Sequence, residues 1–242
     1  MTGIEIWPVR LDMEGCDAFR PLLSADERRR ADRFALPHLA AAFILGRAVL
    51  RVLSARYLGL APGAVRFEYG PHGKPRFAET TGLHFNLSHS GGMGLFGFAA
   101  GLEFGLDVER LRPVRDLDRL AARVLATEEA TALAALPPER REAAFLSCWT
   151  RKEAFVKAVG GGLSIPLDGF AVTVDPAAAP GFLRLPSLRA REPWQLRDID
   201  LGPGFAAALA YPGPPRAVQV FPPCEASTLL EPVPAPWSSS LA

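Results

Sequence analysis

Two long stretches of helical periodicity, each followed by a series of short apolar runs, constrain this chain more than any other feature. In residues 39 to 58, Leu45, Ala48, Val49, Val52 and Leu53 recur at helical spacing. Arg47 and Arg51 stand four apart on another face, and Leu58-Gly59 marks the exit. In residues 139 to 159, Ala144, Cys148, Phe155, Val156 and Val159 repeat the pattern, and Gly160-Gly161-Gly162 ends it. After the first helix come "VRFEYGPHGKPRF", a strand broken by Gly70-Pro71 and Gly73-Lys74-Pro75, and then "HFNLS", "LFGFAA" and "FGLDVE". After the second come "FAVTVD", "WQLRDID", "FAAALAY" and "AVQVF". Helix-then-strands therefore occurs twice, an order that permits two similar α+β halves.

The rest of the chain fits around that repeat. "IEIWPVRLD" alternates like a first strand. "LLSADERRRADRF" starts a helix with Ser24 as cap and Glu27 at the capping-box position, and gathers Arg28, Arg29, Arg30 and Arg33 into a basic cluster. A further helix is expected from about Leu117 to Leu136, ended by Pro137-Pro138. From Pro222 onward the chain is rich in proline, serine and alanine and is expected to be a loosely held tail.

Composition limits the functional classes. With 49% hydrophobic and 22% charged residues the chain is an ordinary globular one. Its net charge of +1 provides no global field to draw it onto nucleic acid or an anionic membrane. Cys16, Cys148 and Cys224 are odd in number and in no zinc or redox spacing, which favours unpaired thiols and a reducing compartment. No uninterrupted apolar run reaches the ~18 residues of a membrane span, and a cytoplasmic location is the expectation.

Chemistry concentrates in a few places. Strand alternation in "FGLDVER" points Asp107 and Glu109 to one face, about 6.5 to 7 Å apart, where two carboxylates can converge on a hard cation such as magnesium. Taken alone, such a pair more often marks the exposed edge of a half-buried strand. Glu153 and Lys157 share a helix face, with Trp149 one turn earlier, which also fits a surface salt bridge. "FNLSHSGG" places His89 in a turn among Ser88, Ser90 and two glycines, where backbone amides and the imidazole can meet a phosphate. Lys74 on its "GKP" turn and the arginine cluster add phosphate-seeking donors, although such clusters commonly just solvate a helix.

In order, "HGKPRF", "FNLSHSGG", "FGLDVERLRP" and "CWTRKEAFVKAVGGGLSIPLDGF" resemble the 4′-phosphopantetheinyl transferases of the larger, surfactin-synthetase-activating type, from roughly Leu22 to Val174. The resemblance implies two α+β halves related by a pseudo-twofold, with the active site in the cleft between them. The first half, residues 1 to 103, would bind the coenzyme A nucleotide. The second, residues 104 to 221, would carry the metal and catalytic residues, and 222 to 242 would be the tail. The implied reaction moves the phosphopantetheine arm of coenzyme A onto a serine of an apo acyl or peptidyl carrier protein, releasing adenosine 3′,5′-bisphosphate, and polyketide or nonribosomal peptide synthesis is the expected setting. Asp107, Glu109 and Glu153 match the family's magnesium ligands. Glu153, or Glu128 in "LATEEA", would accept the serine proton, and Lys157 would stabilise the growing charge. Lys74 and Pro75, Ser88 and His89, and Arg28, Arg30 and Arg47 match positions around coenzyme A.

Two departures stand out. Some members carry an arginine just before the Leu-Leu-Gly of the first long helix, whereas here Ala42 precedes and Arg47 follows the glycine. Gly161 stands where a lysine is common. Carrier docking is expected between Leu111 and Leu125, where Leu117, Leu120 and Val124 alternate with Arg115, Arg119 and Arg123, although an ordinary amphipathic helix has the same pattern. A monomer is expected, because the two halves would supply both cleft walls. Two rival readings remain: a magnesium-dependent hydrolase of the coenzyme A pyrophosphate, and a non-catalytic coenzyme A or carrier-binding module. Neither Asp107 nor Glu153 reads as a core position.

Overall fold

The computed structural model describes residues 3–11, 15–70, 73–160, 165–187, 189 and 192–230. It repeats one order of elements twice. The first half contains β1 (Ile4–Arg10), α1 (Ala25–Ala31), α2 (Pro37–Leu58), the hairpin β2 (Phe67–Tyr69) and β3 (Pro75–Phe77), then β4 (Leu83–Ser90) and β5 (Met93–Ala100). The second contains β6 (Gly105–Arg110), α3 (Leu117–Val124), α4 (Thr127–Ala135), α5 (Pro138–Val159), the pair β7 (Ala171–Val172) and β8 (Phe182–Arg184), then β9 (Trp194–Asp198) and β10 (Phe205–Pro212). In the first half β5 lies antiparallel between β1 and β4, and in the second β10 lies antiparallel between β6 and β9. Both long helices have 22 residues, open on a proline and stop at a glycine in the left-handed region, Gly59 (φ 65°) and Gly160 (φ 73°).

The strands alternate between two apolar layers. Trp7, Val9, Phe96 and Phe98 point to α2, while Ile4, Ile6, Met93 and Leu95 point the other way, onto Leu106, Val108, Ala207 and Leu209 of the second sheet. Ala206, Ala208 and Ala210 of β10 face α5. The result is helix, sheet, sheet, helix. Each fully buried large side chain in these layers contributes about 1.5–3 kcal/mol by leaving water.

A buried carboxylate pins the short helix of each half to the long one. Glu27 accepts the Ser24 N–H at 2.9 Å, closing the expected capping box, and also receives Arg47 Nε at 2.7 Å and Arg51 Nε at 2.6 Å. Glu129 accepts the Ala126 and Val172 N–H groups, both at 2.7 Å, and pairs with Lys152 of α5. This second clamp divides the single helix expected over 117 to 136. The chain turns at Leu125 and Ala126 so that Glu129 caps a new helix, and Pro138 opens α5. Ala126 has no side-chain oxygen, so the sequence carries no capping signal there.

The expected tail is also revised. After β10 the chain crosses back to the first half, where β11 (Val218–Val220) and β12 (Cys224–Glu225) pair in parallel with the free edge of β1. Ala226 and Leu229 are buried in the α2 layer, and Arg56 donates to the Leu229 carbonyl at 2.9 Å. Pro222 and Pro223 fall between the two short strands, where no ladder donor is required. Residues 218 to 225 thus extend the first sheet and 226 to 230 pack into its α2 layer, so the boundary drawn at 221 and the loose tail drawn from 222 do not hold there, and 231 to 242 lie outside the described residues. Among the described residues α2 is long and apolar enough to span a bilayer, yet most of that stretch is buried inside the protein.

One close approach sets the geometry of everything that follows. A Cβ on Gly105 would lie 2.0 Å from the Ala154 carbonyl oxygen and 2.4 Å from the Ala158 nitrogen, so β6 rests directly on the α5 backbone. Gly105→Ala is expected to lower stability by about 3 kcal/mol, read as a shift of the urea midpoint. The control Gly63→Ala, with nothing within 4 Å of the new methyl, leaves the midpoint in place.

Candidate active site

Strands β4 and β6 belong to different sheets, and a row of side chains joins them. Asn86, Ser88 and Ser90 alternate onto the β6 side. Asn86 Oδ1 accepts the Leu106 N–H at 2.9 Å, and Ser88 Oγ donates to Asp107 Oδ1 at 2.8 Å. Ser90 Oγ donates to Glu109 Oε2 at 2.8 Å and accepts the Arg110 N–H at 3.1 Å. The first half thereby orients both carboxylates of the second.

Helix α5 closes the cluster from the other side. Lys157 Nζ donates to Asp107 Oδ1 at 2.7 Å and to Ser88 Oγ at 3.0 Å. Glu153 lies one turn earlier on the same face. Burial raises its pKa, the charges of Asp107 and Glu109 raise it further, and Lys157 opposes them. Asp107 is buried, with 5% of its surface exposed, and among the described residues its Oδ2 has no hydrogen-bond partner. A buried anionic oxygen without a donor is a costly arrangement that a cation relieves.

The donor set fits a hard cation of the magnesium type, since Asp107, Glu109 and Glu153 offer oxygen alone. Among the described residues, no three His, Cys, Asp or Glu side chains are gathered tightly enough to enclose an ion as they stand. Lys157 occupies the Asp107 oxygen nearest to it.

A cavity of about 700 Å³ opens beside this cluster, between the halves. Gly73, Lys74, Pro75, Phe85, Asn86 and Leu87 line it from the first half, and Leu120, Val124, Trp149, Glu153, Val156 and Lys157 from the second. Its wall is largely apolar with a few charged groups, the usual make-up of a small-molecule site. The carboxylates, Lys157 and Ser88 therefore converge, with Lys74 and Pro75 on the cavity wall.

His89 lies in β4 rather than in a turn. Gly91 and Gly92, with φ of 55° and 82°, form the tight turn themselves and let the strand run to Ser90. The His89 side chain opens to solvent at the strand end, but neighbouring protein crowds it. That partial desolvation, followed by the charge of Lys157, lowers its pKa, while Glu109 works the other way.

Other expected residues lie apart from the cluster. Glu128 is exposed on α4 and bonds to Arg184 at 2.8 Å, so its carboxylate is engaged away from the carboxylate group. Arg47 is buried against Glu27 and stacks over Phe67, which makes it part of the α1 clamp. Arg28 donates to the Leu23 carbonyl, and Arg30 lies over the Phe43 ring at 5.1 Å. None of these four lines the cavity. Ala42 lies within α2, and Gly161 falls outside the described residues. The anchoring roles of Asn86 and Ser90 are not evident from the motifs, although the alternation Asn86-x-Ser88-x-Ser90 marks a polar strand face.

Comparison with known proteins gives the family. Residues 103–210 match the 4′-phosphopantetheinyl transferase superfamily. The chain is 35% identical over 216 residues to the 4′-phosphopantetheinyl transferase HetI of Nostoc sp., covering 87% of this chain and 88% of the relative. It is 29% identical over 210 residues to the 4′-phosphopantetheinyl transferase Sfp of Bacillus subtilis, covering 86% and 91%. A holo-(acyl-carrier-protein) synthase from Bacillus anthracis, solved in complex with CoA (3′,5′-ADP), aligns with 47% of this chain and 98% of its own at 22% identity and a TM-score of 0.38.

The electrostatics of Glu153 are testable without any substrate. Folded Glu153 holds its proton more tightly than the unfolded chain does, so stability falls as pH rises from the ordinary glutamate value through the raised one. In metal-free buffer, Glu153→Gln is expected to unfold at a higher temperature than the parent near pH 7. The difference closes below about pH 4, where both side chains are neutral.

Proposed function

This chain belongs to the 4′-phosphopantetheinyl transferase superfamily, and from that premise we propose that it transfers the 4′-phosphopantetheine arm of coenzyme A to a serine of an apo carrier protein. The observation that carries the reading is the meeting of Asp107, Ser88 and Lys157, with Glu153 coupled to them by charge, beside the cavity between the halves, where Glu153 and Lys157 form part of the wall. The serine hydroxyl attacks the phosphorus that bears the pantetheine arm. A new P–O bond forms, the bridging P–O bond of the pyrophosphate breaks, and adenosine 3′,5′-bisphosphate leaves with the electron pair.

Glu153 takes the serine proton, a role supported by its raised pKa and its place at the cavity. Asp107, Glu109 and Glu153 would hold magnesium, which when bound neutralises charge on the substrate pyrophosphate. Lys157 and Lys74 present ammonium groups to the same anionic region, and Ser88 keeps Lys157 aligned. In this reading His89, at the open end of β4, would donate to a phosphate oxygen.

The carrier approaches along α3, where Leu120, Arg123 and Val124 reach the cavity rim. Carriers of polyketide or nonribosomal peptide synthesis are the partners in this reading. Both walls of the cavity come from one chain, which supports a monomer, and the three unpaired cysteines suit a cytoplasmic setting.

Intact-mass spectrometry of an apo carrier incubated with the protein, coenzyme A and magnesium tests the proposal. The carrier is expected to gain one phosphopantetheine group, and a chelator abolishes the gain. Because Asp107 is buried and ties β6 to β4 and α5, Asp107→Asn is a better probe of its role than alanine. Asp107→Asn and Glu153→Gln are each expected to slow transfer by at least about 100-fold while thermal unfolding stays cooperative. Cleavage of coenzyme A with every carrier left apo would favour hydrolysis instead. If coenzyme A also stayed intact, the non-catalytic binding reading would take its place.

A further inference from the structure

Glu103 lies in the short segment joining β5 to β6, where one half passes into the other. Its Oε2 accepts Lys74 Nζ at 2.7 Å, and its Oε1 is 3.0 Å from His84 Nδ1. Lys74 extends from the turn between β2 and β3 along the cavity wall. Its Cδ is 3.9 Å from where a Cβ on Gly160 would be, so the lysine stem crosses from the first half to the end of α5. One carboxylate thus holds the hairpin turn, β4 and the inter-half segment together around a cavity lysine.

The ion pair leaves Lys74 available to a ligand. Its side chain is 25% exposed, and an ammonium has three donors, of which Glu103 takes one. Burial works against ionisation of Glu103, but the hydrogen bond and charge of Lys74, aided by His84, hold its pKa below the usual glutamate value. A negative charge therefore stays beside Lys74 at neutral pH. It fixes the ammonium at the wall and also offsets part of its attraction for an anion in the cavity.

We infer that Glu103 is a positioning residue that sets how strongly Lys74 holds the anionic substrate. The inference rests on the transferase reading, in which Lys74 meets the phosphates of coenzyme A. Glu103→Gln keeps an oxygen to accept from Lys74 but removes the charge, so coenzyme A binds more tightly. Pairs this exposed are coupled weakly, which puts the expected change at about two- to fivefold in affinity. The change falls in KM for coenzyme A rather than in kcat, and it shrinks as salt screens the charge.

Calorimetric titration of coenzyme A into the full chain, without carrier, tests this in a double-mutant cycle of Glu103→Gln and Lys74→Ala. Tighter binding in Glu103→Gln that disappears in the Lys74→Ala background, and at about 0.5 M salt, is the expected result. Equal affinity of parent and Glu103→Gln, or a gain that persists without Lys74, would overturn the inference while the parent's binding leaves the transferase reading standing. A parent chain that bound no coenzyme A would overturn both.

Discussion

The hydrogen bonds that join Asn86, Ser88 and Ser90 with β6 are the interaction on which the rest of the structure depends. The two sheets pack through apolar faces that are non-directional and would tolerate small shifts. The polar row is directional and fixes the register of one half on the other. It does so at the two residues, Asp107 and Glu109, whose carboxylates face the site. Gly105 completes the constraint by letting β6 lie on the α5 backbone, which brings Asp107 within reach of Lys157.

That geometry concentrates negative charge at some cost. Asp107, Glu109 and Glu153 sit close enough to raise the proton affinity of Glu153, and Lys157 compensates only in part. Elsewhere in the molecule buried carboxylates are well matched: Glu27 faces two guanidiniums, and Glu129 has Lys152 and two backbone donors. The contrast is physical. The matched clusters stabilise the two α-helical corners, whereas the unmatched one holds a charge deficit where the cavity opens. Unmatched groups of this kind mark sites of chemistry more often than sites of support.

Much of this was legible in the sequence, for reasons that differ by element. The helices of residues 37–58 and 138–159 announce themselves through periodicity and terminal glycines, and period-two alternation places Asp107 and Glu109 together. The convergence of Glu153 and Lys157 with them came from the ordered motifs, since no local pattern links a helix to a distant strand. Three features were not legible. The break at Leu125 depends on Lys152, far along the chain, reaching Glu129. The return of residues 218–230 depends on the open edge of β1, which composition does not reveal. The engagement of Arg47 with Glu27 looks in sequence like a free arginine near a glycine, and only packing shows that its charge is already used.

In the proposed reading, carboxylates from β6 and α5, held in place by β4, would form one cation site serving the substrate pyrophosphate. Calorimetric titration of magnesium into the chain saturated with coenzyme A tests it most directly. A single site on the protein complex, absent in coenzyme A alone and lost in both Asp107→Asn and Glu153→Gln, is the expected result. Magnesium binding that matched coenzyme A alone, or that survived unchanged in both variants, would contradict it.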